Sequence, residues 1–121
     1  MHGGYNWHKP LSENSAGDIM WDRHIVEIAQ YWTSYDKVHG NQKEHKFKEF
    51  DKIFVGHTTT QHSFDWRYKS SLSPAFLKNL VNLDTGAGWN GKLTIMDVDT
   101  NEYWQSDLVI DLYPAEFNAR Q

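Results

Sequence analysis

The chain contains no cysteine, and that absence limits its folding options more than any other feature. No disulfide, thiolate-held zinc or iron–sulfur cluster can hold it together, and no thiol can serve as nucleophile. A hydrophobic core must do the work. The 121 residues suffice for one ordinary domain burying roughly 65% or more of its unfolded surface, so residues 1–121 are read as a single domain. Mean hydropathy is −0.74, and no apolar run approaches the ~20 residues of a membrane span. Met1-His2-Gly3-Gly4-Tyr5 has neither the basic patch nor the apolar stretch of a secretory signal. With the missing thiols, this predicts a cytoplasmic protein without a membrane partner. Twelve Lys and Arg against sixteen Asp and Glu give a net charge of −4, which argues against a nucleic-acid-binding surface. Seven histidines are many for this length and point to metal or phosphate chemistry.

Strand and helix signals alternate along the chain, which predicts an α/β fold. Residues 1–17 are rich in Gly, Asn, Ser, His and Trp and read as an irregular loop. Ser15 and Asp18 have the spacing of a capping box. Ile19 to Tyr35 is free of Gly and Pro, with Met20, Ile25, Ala29 and Trp32 close to helical spacing, so a helix is predicted there. Residues 36–51 mix charges of both signs and read as a solvated helix or loop pinned by Phe47 and Phe50. Lys52 to Gly56 reads as a short buried strand ending at glycine. Pro74 opens a helical turn to Lys78, and Leu80 to Asp84 is a second strand. Lys92–Val98 and Glu102–Ile110 are the arms of a hairpin turning at Asp99-Thr100-Asn101. The tail after Pro114 is expected to fray.

Several apparent motifs dissolve on inspection. Gly86-Ala87-Gly88-Trp89-Asn90-Gly91 is a literal G-x-G-x-x-G, but strand formers follow it where a dinucleotide site needs a helix. Positive φ at a hairpin entrance explains the glycines better. Asp97-Val98-Asp99 lacks the remaining ligands of a calcium loop. Six scattered tryptophans are expected mostly in or near the core. There is no G-x-S-x-G and no His-Glu-x-x-His.

Three pieces gain meaning together. His2 lies in His2-Gly3-Gly4, His57 directly follows a strand in Gly56-His57-Thr58, and Arg23 lies near a helix start in Trp21-Asp22-Arg23. A histidine at a strand's carboxyl end, beside glycine, can approach a cation without steric conflict. Imidazole binds the cation, and a guanidinium takes two phosphate oxygens.

His-Gly-Gly, Trp-x-Arg, a strand ending in Gly-His-Thr, Asp-Thr-Gly-Ala and a Gly-Lys-Leu-Thr hairpin stand in that order at His2–Gly4, Trp21–Arg23, Phe54–Thr58, Asp84–Ala87 and Gly91–Asp97. The ordered set resembles the carboxyl-terminal half of calcineurin-like metallophosphoesterases, the bacterial serine/threonine protein phosphatases in particular. The resemblance implies half of an α-β-β-α sandwich: a mixed sheet with a carboxyl-terminal β-hairpin and one or two helices. It implies His2 and His57 as ligands of one ion of a dinuclear centre, with manganese the expected metal and iron or zinc accepted. It implies Arg23 as the group that holds the phosphoryl oxygens, and Asp84 with its glycines as a structural turn. In such sites the metals lower the pKa of the attacking water and stabilise the transferring group.

The same family carries Asp-x-His, Gly-Asp-x-x-Asp-Arg-Gly and Gly-Asn-His-Glu blocks in series, and this chain does not carry that series. The expectation is therefore a carboxyl-terminal fragment whose full-length parent hydrolyses phosphomonoesters on phosphorylated substrates. Alone, it should bind metal weakly and be inactive, since catalytic zinc usually has about three protein ligands. Alternatives are a diadenosine polyphosphate hydrolase-like fragment and a non-catalytic binding module on the same fold. Sheet surface exposed without the amino-terminal half predicts a homo-oligomer.

Overall fold

The computed structural model describes residues 1–62 and 71–113. Trp66 and the tail after Pro114 lie outside the described residues. A 3-10 turn at Leu11–Glu13 precedes helices α1 (Ala16–Trp21) and α2 (His24–His39). Strands β1 (Ile53–Val55), β2 (Ala75–Leu77), β3 (Leu80–Asn82), β4 (Thr94–Met96) and β5 (Tyr103–Gln105) follow, then α3 (Val109–Leu112). The described residues thus form a mixed α/β structure with three α-helices, where one or two were expected.

The helix expected over Ile19–Tyr35 is broken. α1 begins with the capping box anticipated at Ser15 and Asp18: Asp18 N–H donates to Ser15 Oγ at 3.1 Å, and Ser15 N–H to Asp18 Oδ2 at 2.9 Å. It stops because Asp22 adopts an extended conformation and its carboxylate accepts the Ile25 N–H at 3.1 Å. An Asp side chain offers the backbone an alternative to helical hydrogen bonds; here it ends one helix and starts the next. α2 runs on to His39 and ends at Gly40, whose φ is 88°. Its buried face is Ile25, Val26, Ala29, Gln30 and Ser34, whereas Met20 is exposed.

The main sheet has the order β1-β3-β2. β3 is central and wholly buried, parallel to β1 (Ile53↔Leu80 to Val55↔Asn82) and antiparallel to β2 (Ala75↔Asn82 to Leu77↔Leu80). The helical turn expected after Pro74 is instead edge strand β2. Pro is tolerated at an edge, and pairing with β3 buries Ala75 and Leu77 in the core. The core joins these strands to Tyr5, Phe47 and the inner face of α2, with Trp7, Trp32 and Phe50 packed against it. The loop expected over residues 1–17 therefore contributes core side chains. Phe47 also anchors the segment after α2: its N–H and C=O both pair with the Asn79 side chain.

β4 and β5 form the expected antiparallel hairpin, Thr94↔Gln105 to Met96↔Tyr103. Asp97 Oδ1 accepts the N–H groups of Asp99 and Thr100, which makes Asp97-Val98-Asp99 a turn. The second arm is shorter than expected, since the chain bends at Asp107 and enters α3. Gly86 has a φ of 86°, and a Cβ on Gly91 would overlap the Thr85 carbonyl, so the glycine run is explained by backbone geometry. Of the five described tryptophans, Trp21, Trp89 and Trp104 are exposed, against the expectation that most are buried. Trp89 precedes the hairpin and Trp104 sits in it; no further layer of described residues covers them.

Candidate metal and phosphate site

The parallel pair β1–β3 opens its carboxyl ends on one edge of the sheet. Open α/β sheets bind ligands at such edges. Beside β1 lies the Met1–His2 segment: Met1 N donates to Phe54 O at 2.9 Å, and Gly56 N–H to His2 O at 2.7 Å. This pairing brings the imidazoles of His2 and His57 together, with ring centroids 5.0 Å apart and planes inclined at 49°.

His57 is held in an unusual backbone conformation. Its φ is 65°, and Thr58 N–H donates to Gly56 O across it at 2.7 Å. That i to i+2 bond with positive φ makes a γ-turn of the rare, strained kind. The next turn of chain is fastened to the end of β3. Asn82 Nδ2 donates to Thr58 O at 2.7 Å, and Thr60 N–H to Asp84 O at 2.8 Å.

Arg23 reaches the same edge because α1 and α2 are separate. At their junction it donates from Nη1 to Oγ1 of buried Thr58 at 3.3 Å. Gly3 and Gly4 seat this junction against the His2 segment. Gly3 N–H donates to Ile19 O at 2.8 Å. A Cβ on Gly3 would lie 2.8 Å from Asp22 O, and one on Gly4 would overlap the Ile25 and Asp22 side chains. The glycines beside His2 thus serve helix packing as well as access to the imidazole. Trp21, ending α1, meets His57 edge-on at 5.5 Å.

A cavity of about 250 Å³ lies here, lined by His2, His57, Asp84, Lys92 and Thr94 among others. Burial lowers the pKa of His57, as do the positive charges of Arg23 and His2, while the Asp84 carboxylate opposes them. The result favours a neutral imidazole, the form that ligates metals.

The three residues singled out in the sequence therefore meet at one sheet edge. A nitrogen ~2.1 Å from an ion sets its ring centroid ~3.2 Å away, so two imidazoles ~90–110° apart on one ion have centroids ~4.5–5.2 Å apart. The observed 5.0 Å fits that range, and imidazole ligands suit manganese, iron or zinc. The fit is to part of a coordination sphere, because no three His, Cys, Asp or Glu among the described residues are grouped to hold a metal.

In the sequence Asp84 reads as a structural turn residue, and nothing there marks Lys92 or Thr58 for a role. Asp84 does brace a turn, accepting the Gly86 N–H at 3.2 Å, but it also lines the cavity. Its signal was its place at the end of a strand. Only the parallel pairing of β1 with β3 put that end beside His57. Among the described residues no helix is long and apolar enough to cross a membrane. Comparisons of the chain with protein-family models, with curated proteins and with solved structures find no match.

Proposed function

We propose that this chain supplies the carboxyl-terminal half of a dinuclear metallophosphoesterase site, of the cytoplasmic serine/threonine protein phosphatase type, on half of an α-β-β-α sandwich. One observation carries the reading: imidazoles 55 positions apart converge to 5.0 Å beside the guanidinium that caps Thr58. A divalent ion bound by His2 and His57 would supply Lewis-acid stabilisation of phosphoryl charge and lower the pKa of a water. Arg23 binds and orients. One of its nitrogens is anchored on Thr58, and the rest of its planar fork can take two oxygens of a phosphomonoester. His57 is oriented by the γ-turn at its backbone, and its lowered pKa favours the metal-binding form. Asp84 adds negative charge beside it, and Lys92 adds positive charge to the cavity. Among the described residues no three His, Cys, Asp or Glu are grouped to hold a metal, and on this reading turnover needs ligands from a second half of the site.

The test is manganese titration watched by paramagnetic broadening of histidine ring signals, with p-nitrophenyl phosphate turnover in parallel. Selective broadening of His2 and His57, lost in His57→Ala and without turnover, is the expected result. Broadening spread evenly over all histidines refutes the site. Rapid turnover abolished by His57→Ala refutes the claim that the chain is only half of one. A second reading, a non-catalytic binding module on the same fold, is favoured by the exposed Trp89 and Trp104.

A further inference from the structure

At the far end of α2 lies a second cleft unrelated to the site above. Asp36 is twelve residues beyond His24, or about 18 Å along the helix axis. The cleft has a volume of about 330 Å³ and is lined by Asn41, Gln42, Lys43, His45, Lys46, Lys78 and Asn79. No Asp or Glu among the described residues lines it, although the chain as a whole carries a charge of −4.

The floor is built. Asp36 is nearly buried and is held by three partners: the Lys78 ammonium, His45 Nδ1 at 2.7 Å and the Gln42 N–H at 3.2 Å. Burial alone would raise its pKa, but the hydrogen bonds from Lys78, His45 and Gln42 hold it down to about 2. The Asp36 charge is thus spent on Lys78 and His45. With Nδ1 on Asp36, the His45 ring is fixed further by stacking on Trp32 at 5.4 Å and 9°. Lys78 sits at φ 61° in the β2–β3 turn and also donates to Asn41 Oδ1. Lys43 and Lys46 stand at the rim with no carboxylate of the described residues within ion-pair distance.

A helix C-terminus ordinarily repels anions. Here some of its terminal carbonyls are occupied: Gly40 N–H donates to Asp36 O, and Gln42 Nε2 to His39 O and Gly40 O. A cation has no place in the cleft, because an ammonium already takes the carboxylate. We propose that this cleft binds the phosphoryl group of a small phosphomonoester, with Lys43 and Lys46 as cationic donors and the one Lys78 hydrogen not taken by Asp36 and Asn41 as a third. The volume, at the lower end for small-ligand pockets, leaves room for an organic portion beyond the phosphoryl group.

The test is an amide chemical-shift titration of the full chain with inorganic phosphate and with glycerol 3-phosphate, against chloride at matched ionic strength. Saturable shifts at Gln42, Lys43, Lys46 and Lys78, tighter for the ester, are expected. Affinity should fall about tenfold or more in the Lys43→Gln/Lys46→Gln variant, the scale of losing charge-assisted hydrogen bonds. Both lysines are exposed, so the variant keeps its fold, which its unperturbed spectrum verifies. The proposal is overturned by shifts no different from those with chloride, by shifts confined to the His2 and His57 edge, by binding that survives the double substitution, or by an ester that binds no tighter than phosphate.

Discussion

Replacing His57 by alanine and by glycine separates backbone strain from ring chemistry. Both substitutions remove the imidazole, its contact with Trp21 and its approach to His2. They differ in how well they tolerate a φ of 65°. A non-glycine residue held in such a region costs on the order of 1–3 kcal/mol, and glycine escapes most of that. Glycine gives back about 0.4–1 kcal/mol through the greater freedom of the unfolded chain. With strain near the middle of its range, the net is about 1 kcal/mol in favour of His57→Gly over His57→Ala. For a domain of this size that is a difference of roughly 4 °C in Tm. Urea unfolding followed by circular dichroism measures it directly, with equal m-values checking that only stability has changed. At an unstrained loop position the order reverses, and alanine is the more stable. An alanine variant as stable as the glycine variant, or more so, would refute the γ-turn strain. The pair also bears on function. Strain persists where surrounding structure over-determines it, often at sites that use it, so both variants should lose manganese-induced broadening at His2 equally, whatever their stability.

Three further outcomes are expected. Asp36 has its carboxyl lowered from 3.8 to about 2, so its contribution is fully present above pH 3.8 and is lost as pH falls through about 2; an Asp36→Asn variant in acid titrations of stability should lack that loss, and an identical acid limb in both proteins would count against the Lys78–Asp36–His45 cluster. Gly4→Ala places a Cβ against Ile25 and Asp22 and should destabilise by about 1–3 kcal/mol, the usual overpacking range, a value that denaturant unfolding tests and that no change in midpoint contradicts. The exposed hairpin residues Ile95 and Trp104 and the edge strand β2 with exposed Phe76 predict self-association, which light scattering reads as a dimer or larger, and a monomer at high concentration removes the homo-oligomer from the proposal.

Local chemistry was legible wherever nearest neighbours decide conformation. Ser15 and Asp18 cap a helix across three residues, Asp97 folds its own turn, and Ile53–Val55 and Leu80–Asn82 are strands because their side chains suit burial. Where a local preference competes with a distant partner, the sequence could not arbitrate. Asp22 breaks an otherwise continuous helical pattern because its carboxylate caps α2 while Gly3 and Gly4 pack beneath the junction. Ala75–Leu77 follows a proline that invites a helical turn, yet pairs with β3 because that pairing buries Ala75 and Leu77. The types of His2, Arg23 and His57 already spoke of cations and phosphate. Their meeting required the parallel alignment of β1 with β3, the Met1–His2 segment beside β1 and the kink that turns Arg23 toward Thr58. Each of those is a contact between segments tens of residues apart, and such contacts form only when burying shared apolar surface offsets the entropy of closing the loops between them.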